Sequence, residues 1–203
     1  MSVLALIDPN VRALLKQHPL LKGTNIIGRG AFCCVFEGKK KTRVFKLTTD
    51  STHAAYLTDS DAPQGRYKPK VFANHHVVGE TSTGLGLFLL EVERLRPIKK
   101  GSANWDLAEA LIQYDRDHSR LPQSKRSAYW ATDELLCFMR ELNRFTRIFG
   151  CRLDLSKANF MERSNGHLVF SDPVFDEESR ERNSYSMRNV PRSRLRQALA
   201  SYM

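Results

Sequence analysis

Apolar and polar positions follow two rhythms along this chain, and the change from one to the other falls near Pro97. Toward the N-terminus, Leu4, Ile7, Val11, Leu14 and Leu15 recur at helical spacing, interrupted at Pro9. This pattern predicts a short helix after that proline, ended by Pro19. From Asn25 to Leu47 the texture turns β-like, with runs at Ala31–Glu37 and Val44–Leu47 joined by a lysine-rich turn at Gly38–Lys41. Ser51–Asp59 reads as a short helix, and Asp61–Pro69, with Pro63, Gly65 and Pro69, as a loop. Val71–Gly79 and Leu85–Val92 then alternate as strands around the turn-rich Glu80–Gly84, which completes a small antiparallel sheet. Beyond Pro97 the period lengthens. A helix is predicted over Trp105–Asp117, and a longer one over Ser127–Phe149, where Leu135, Leu136, Met139, Leu142, Phe145 and Phe149 keep one apolar face that Gly150 closes. Short strands at Asn159–Glu162 and His167–Phe170 flank an Asn165-Gly166 turn, the signal of a tight hairpin. A partly helical Arg192–Tyr202 ends the chain. The fold class is α+β.

The 203 residues, 41% apolar and 27% charged, amount to one domain with a real core, neither disordered nor a disulfide miniprotein. The longest apolar run, Leu85–Leu90, is far short of the roughly 20 residues that span a bilayer. Met1–Ile7 lacks a cationic leader, so the expected location is cytosolic, without membrane association. A net charge of +10 draws the chain toward polyanions without choosing among them. It gathers at Lys39, Lys40, Lys41 and Arg43, and again at Arg188, Arg192, Arg194 and Arg196. No zinc-finger spacing or aromatic RNP-type strand is present, which keeps nucleic acid a runner-up partner. Cys33, Cys34, Cys137 and Cys151 form no C-x-x-C pair, and a small buried thiol is the expectation for each. Neighbouring His75 and His76 on a strand would face opposite sides and make a poor joint ligand set.

Chemistry concentrates in four places. Gly28-Arg29-Gly30-Ala31-Phe32-Cys33-Cys34-Val35 is a glycine-rich turn within a hairpin, where a dinucleotide-binding turn would instead open a helix. Glycines at a hairpin tip let backbone N–H groups close over phosphates, with Val35 packing on a purine. Eleven residues on, Lys46 stands in the apolar run Val44-Phe45-Lys46-Leu47, where an ammonium is costly unless it meets an anion such as a nucleotide phosphate. Asp154 is followed five residues later by Asn159, and Asp172 leaves an apolar strand thirteen residues after that. Asn159 and Asp172 supply oxygen ligands suited to Mg²⁺, leaving Asp154 to receive a hydroxyl proton.

Through the glycine loop, the Val-Phe-Lys strand, the D-x-x-x-x-N loop and the strand-ending aspartate, the sequence resembles the protein-kinase family over roughly Ile26 to Phe175. Its basic character, Asp-Pro-Val in place of Asp-Phe-Gly and a minimal C-terminal part resemble more narrowly the small early serine/threonine kinases of T7-like lytic bacteriophages (Autographiviridae). The resemblance implies a two-lobed fold. It divides the chain into an N-terminal helical segment (1–24), an N-lobe with a small antiparallel sheet (25–96), a truncated, mostly helical C-lobe with the catalytic loop (97–175) and a basic tail (176–203). It also implies that Gly28, Gly30 and Val35 cover ATP and that Lys46 contacts its α and β phosphates. Glu93 to Leu95 would be the hinge that holds the adenine, or Glu91 its start. Asp154 would be the catalytic base, Asn159 and Asp172 the Mg²⁺ ligands, and Lys157 either a neutraliser of charge on the transferred phosphoryl group or an exposed loop lysine. The substrates implied are serines and threonines of host bacterial proteins, such as transcription or RNA-processing machinery, with autophosphorylation at Ser179, Ser184, Ser186 or Ser193.

Several positions depart from that pattern. Cys33 replaces the third glycine, and Leu153 stands before Asp154 where many kinases carry arginine. No glutamate falls in Ser51–Ser60, which leaves Asp59 and Asp61 as weak partners for Lys46, and only 31 residues follow Asp172. A catalytically weak or dead pseudokinase, binding or inhibiting protein or nucleic acid, is therefore the alternative, although it has no need of Lys46, Asp154, Asn159 and Asp172 together. A small-molecule phosphotransferase of the aminoglycoside-kinase type shares the D-x-x-x-x-N loop, but such enzymes favour acidic lids.

Overall fold

The computed structural model describes residues 8–30, 32–116 and 132–177. The expected tail helix at Arg192–Tyr202, the four tail serines and the segment joining the two long helices lie outside the described residues. The architecture is α+β: among the described residues, four α-helices accompany antiparallel strands. The chain divides into two units, one of Met1–Ala54, Lys70–Glu93 and Asp176–Met203, the other of Ala55–Pro69 and Arg94–Phe175. Residues 8–24 thus belong with the sheet, and Ala55–Pro69 belong with the later helices.

In the first unit, helix α1 (Pro9–Gln17) begins where Asp8 caps it, its Oδ1 accepting from the Asn10 and Val11 N–H groups at 2.9 and 3.2 Å. Pro9 sits at the first helical position, where its missing N–H costs nothing. Asp8 Oδ2 accepts from Ser82 N–H and Oγ–H, which ties the helix start to the turn between the last two strands of the sheet. The sheet has the order β1-β2-β3-β5-β4: β1 (Ile26–Arg29), β2 (Cys33–Glu37), β3 (Arg43–Thr48), β4 (Val71–Glu80) and β5 (Gly86–Glu93). Registers of Cys34 to Leu47 to Leu89 and of Phe36 to Phe45 put these side chains on one face. Val11 of α1, with Leu14, Leu15 and Leu21, packs against that face and closes the core. Each such side chain contributes roughly 1.5–3 kcal/mol of burial.

Strand β1 is too short and glycine-interrupted to declare itself in the sequence; its pairing partner β2 makes it a strand. The register jumps from Ile26–Phe36 to Gly28–Val35, so Ile27 is a bulge residue, 41% exposed. The bulge turns Ile26 toward the core while Gly28 faces the other side. A second irregularity lies between Asn74 and Val77 in β4: His76 has φ 58° and is exposed, whereas His75 is half-buried, 6.2 Å from the Phe45 ring. Helix α2 (Ser51–Thr58) is capped by buried Asp50, whose Oδ1 accepts from Thr52 N–H, Thr52 Oγ–H and His53 N–H, and whose Oδ2 accepts from Asp176 N–H at 3.3 Å.

The second unit is built on helices α3 (Ala103–Arg116) and α4 (Asp133–Phe149). Thr132 caps α4, acidic Asp133 and Glu134 complement its N-terminus, and Gly150 closes it at φ 61°. Its buried stripe of Leu135, Phe138, Met139, Leu142 and Phe145 meets an aromatic cluster in which Phe170 lies 4.9 Å from Phe160 and 5.1 Å from Phe138. Leu136, expected on this stripe, is 38% exposed. The strands here are short: β6 (Arg96–Pro97), β8 (Phe160–Glu162) and β9 (Leu168–Phe170) form one sheet, and β7 (Arg152–Leu153) pairs with β10 (Val174–Phe175). The Asn165-Gly166 signal is a hairpin as expected, but only Gly166 has positive φ (81°), and Arg163 N–H donates to His167 O. That is a three-residue loop with a glycine bulge, in place of a two-residue turn. Among the described residues no helix is long and apolar enough to cross a membrane.

Candidate functional site

The face of the first sheet opposite the α1 core carries the predicted phosphate-binding residues in a single cross-strand row. Gly28 pairs with Val35, Val35 with Lys46, and Lys46 with Leu90. Directly paired residues point to the same face, so Lys46 rises between Val35 and Leu90. It is 7% exposed, and an ammonium in such a setting is stable only with an anionic or polar counterpart. The row also explains the glycines. A methyl on Gly30 would stand 2.8 Å from the Cys33 Sγ and force it to shift, and one on Gly28 would stand 3.3 Å from Val35 Cβ, a tight contact that a small displacement could accommodate. Gly30 N–H donates to Cys33 O at 2.8 Å, and the Phe32 carbonyl accepts from Thr49 N–H at 2.9 Å and from the Thr48 hydroxyl, which fixes the turn to the end of β3.

Glu93 ends β5, pairing with Arg43; its N–H donates to Lys70 O, and its carboxylate accepts from Lys70 N–H at 2.8 Å. The middle segment of the first unit stops there and the second unit resumes at Arg94, so Glu93 to Leu95 spans one of the chain's crossings from one unit to the other. Glu91, the other candidate hinge residue, is inside β5, paired with Phe45 and Ala73 and bridged to Arg43 at 3.4 Å.

In the second unit, hydrogen bonds tie together the segments that carry Asp154, Asn159 and Asp172. Asp154 follows β7, and its N–H donates to Pro173 O at 2.8 Å, one step beyond the β7–β10 ladder. Asn159 ends a single 3₁₀ turn (Lys157–Asn159), and its Nδ2 donates to the Asp154 carbonyl at 2.8 Å. The Asn159 carbonyl accepts from both Ser171 N–H and Ser171 Oγ–H, at 2.8 and 2.9 Å. Sequence reasoning passed over Ser171, yet it is what joins the loop to the residue before Asp172. With Nδ2 committed to the Asp154 carbonyl, Oδ1 is the Asn159 side-chain atom left as an acceptor, and Asp172 follows Ser171 directly in the chain. An amide oxygen and a carboxylate are the oxygen-donor types that Mg²⁺ takes, so Asn159 and Asp172 are the residues that would hold it. No cluster of three or more His, Cys, Asp or Glu side chains able to hold a metal ion occurs among the described residues.

Beneath this knot, Tyr56 of α2 is fully buried and donates from its hydroxyl to Phe170 O at 3.0 Å. Burial first, and the negative charge of Asp172 second, push its phenol well above the usual range. Asp59, a weak candidate for partnering Lys46, caps Asp61 N–H, and its charge acts on Lys68, whose amine burial holds below the usual lysine range. Lys157 is not a bare loop lysine: its Nζ pairs with Glu109 of α3 and sits 4.0 Å from the centroid of the Trp105 ring. Trp105 and Glu109 had a sequence signal, their i, i+4 spacing, but nothing local pointed to their partner. Of the cysteines, Cys33, Cys34 and Cys151 are buried and Cys137 is exposed, contrary to the expectation of four buried thiols. Comparison with known protein families, with curated proteins and with solved structures finds no match for this chain.

Proposed function

We propose that the chain is a minimal, two-lobed protein kinase that transfers the γ-phosphoryl group of ATP to serine or threonine hydroxyls of proteins. The observation that carries this reading is the hydrogen-bonded knot of Asp154, Asn159 and Ser171–Pro173, which brings the segments carrying Asp154, Asn159 and Asp172 together. The row of Gly28, Val35 and Lys46 supports it by aligning a glycine, a β-branched side chain and a buried cation suited to phosphates on one face. Catalysis is then positioning and charge neutralisation: Asp154 accepts the hydroxyl proton, Asn159 and Asp172 hold Mg²⁺, Lys46 fixes the phosphates and the Glu93–Leu95 backbone holds the base. Mg²⁺ would supply charge compensation for the phosphate oxygens. The resemblance to phage kinases makes host bacterial proteins the substrate class.

The test is transfer of labelled γ-phosphate from Mg-ATP to bacterial lysate proteins by the natural chain, beside Asp154→Ala, Asp172→Ala and Lys46→Met. Label on serine or threonine that vanishes with each variant supports the reading. Label absent from the natural chain, or undiminished in the variants, refutes it.

A second reading, a kinase-shaped binding module, is favoured by one feature of α4. Arg140, Arg144 and Arg147 are exposed at i, i+4 and i+7, on one stripe, and none of them forms an ion pair among the described residues. Three arginines about 10 Å apart end to end, without an ion pair among the described residues, suit a polyanion. Association with a single-stranded oligonucleotide that weakens steeply with salt, and loses slope in Arg144→Gln, would select this reading.

A further inference from the structure

Lys157 lies in the loop between Asp154 and Asn159, yet its charge is already matched within the chain. Glu109 takes the ammonium as an ion pair and the Trp105 face lies 4.0 Å away; both stand on one side of α3, a turn apart. The same helix start grips the other side of the loop, since Asn104 Nδ2 donates to Glu162 Oε2 at 3.0 Å and to Gly166 O at 2.8 Å. The first two turns of α3 thus hold the chain on both sides of Asn159. The Lys157 and Glu109 side chains are 35% and 43% exposed, so this pair adds little to global stability. Its effect is to fix the position of one short loop.

We propose that Glu109 and Trp105 are positioning residues that clamp the Asp154–Asn159 loop through Lys157, and that Lys157 is the loop's anchor in this clamp and not a phosphate ligand. This rests on the kinase reading only in that the loop is taken as catalytic.

The experiment uses the full chain with Glu109→Gln, Lys157→Met, the double variant and Lys157→Arg. Amide hydrogen exchange at Asp154, Asn159 and Ser171 is measured without nucleotide, and initial rates are measured against Mg-ATP concentration. The clamp predicts that exchange at these amides speeds up about two- to fivefold in each single variant, the range of an exposed ion pair, and no further in the double. It predicts kcat lower by roughly tenfold or more with KM for ATP unchanged, because a displaced loop misorients the reacting groups without touching the nucleotide. Lys157→Arg, which keeps the ion pair and stacks on indole, restores both readouts. A Lys157→Met variant that raises KM for ATP while Glu109→Gln leaves exchange and rate unaltered overturns the proposal and makes Lys157 a phosphate ligand. Should the natural chain transfer no phosphate, the kinase reading fails, and exchange alone decides the clamp: unchanged protection in both single variants overturns it.

Discussion

Tyr56→Phe removes one oxygen atom from the interior and leaves every other contact in place. Tyr56 is fully buried, its hydroxyl donates to the Phe170 carbonyl at 3.0 Å, and the Phe170 N–H is already taken up by Tyr67 O at 2.8 Å. Phenylalanine fills the same space, so neither a cavity nor repacking enters. The cost is one net hydrogen bond plus a buried carbonyl left short of a donor, about 1–2 kcal/mol. For a chain of this size that lowers Tm by roughly 2–8 °C. The pH dependence has a definite sign. Burial, and then the charge of Asp172, hold the native phenol protonated well above its ordinary value, whereas the unfolded chain ionises near pH 10. Above that value the unfolded state binds fewer protons than the native one, so stability is lost as pH rises. The phenylalanine variant lacks this contribution, while the other tyrosines are common to both chains and cancel. Urea unfolding at neutral pH and again between about pH 9 and 11 should therefore show a gap that narrows on the alkaline side. A variant within about 0.3 kcal/mol of the natural chain at neutral pH, or a gap that stays constant, refutes the reasoning.

Asp50→Ala deprives the start of α2 of an acceptor for Thr52 and His53 N–H and leaves Asp176 N–H without its carboxylate, a loss of about 2–4 kcal/mol by urea unfolding. Asp50→Asn, which keeps the Oδ1 acceptor, should lose clearly less. Thiol titration of the native chain at mildly alkaline pH should show one fast-reacting group, Cys137, and all four only in urea, because Cys34 is buried and pushed up to about 12 by burial and by neighbouring Cys33. Two fast thiols in the native chain would contradict this burial pattern.

The long elements were legible because their apolar spacing is a local property. The α4 stripe with its Gly150 cap and the strands β3 and β5 stand out in any window of a dozen residues. Strand β1 was not legible, since four residues containing a glycine become a strand only through β2, and the bulge at Ile27 cannot be seen without that partner. At the candidate site, residue types and order pointed to Lys46, Asp154, Asn159 and Asp172, but the alignment of Gly28, Val35 and Lys46 in one row is a matter of register. Glu109 lies 48 residues before Lys157, and no periodicity joins a helix to a loop across that distance.

Strand β3 is bonded along both edges, to β2 and to β5, so the direction in which Lys46 points is specified twice. A slip by one residue would have to break both ladders together and would drive the ammonium into the place of Phe45 or Leu47. Changes of length at the lysine-rich tip between β2 and β3 therefore stop at the tip. Lys39–Lys41 is consequently the stretch where a foreign peptide, such as an epitope or a reporter tag, can be spliced into this chain without re-aiming its buried lysine.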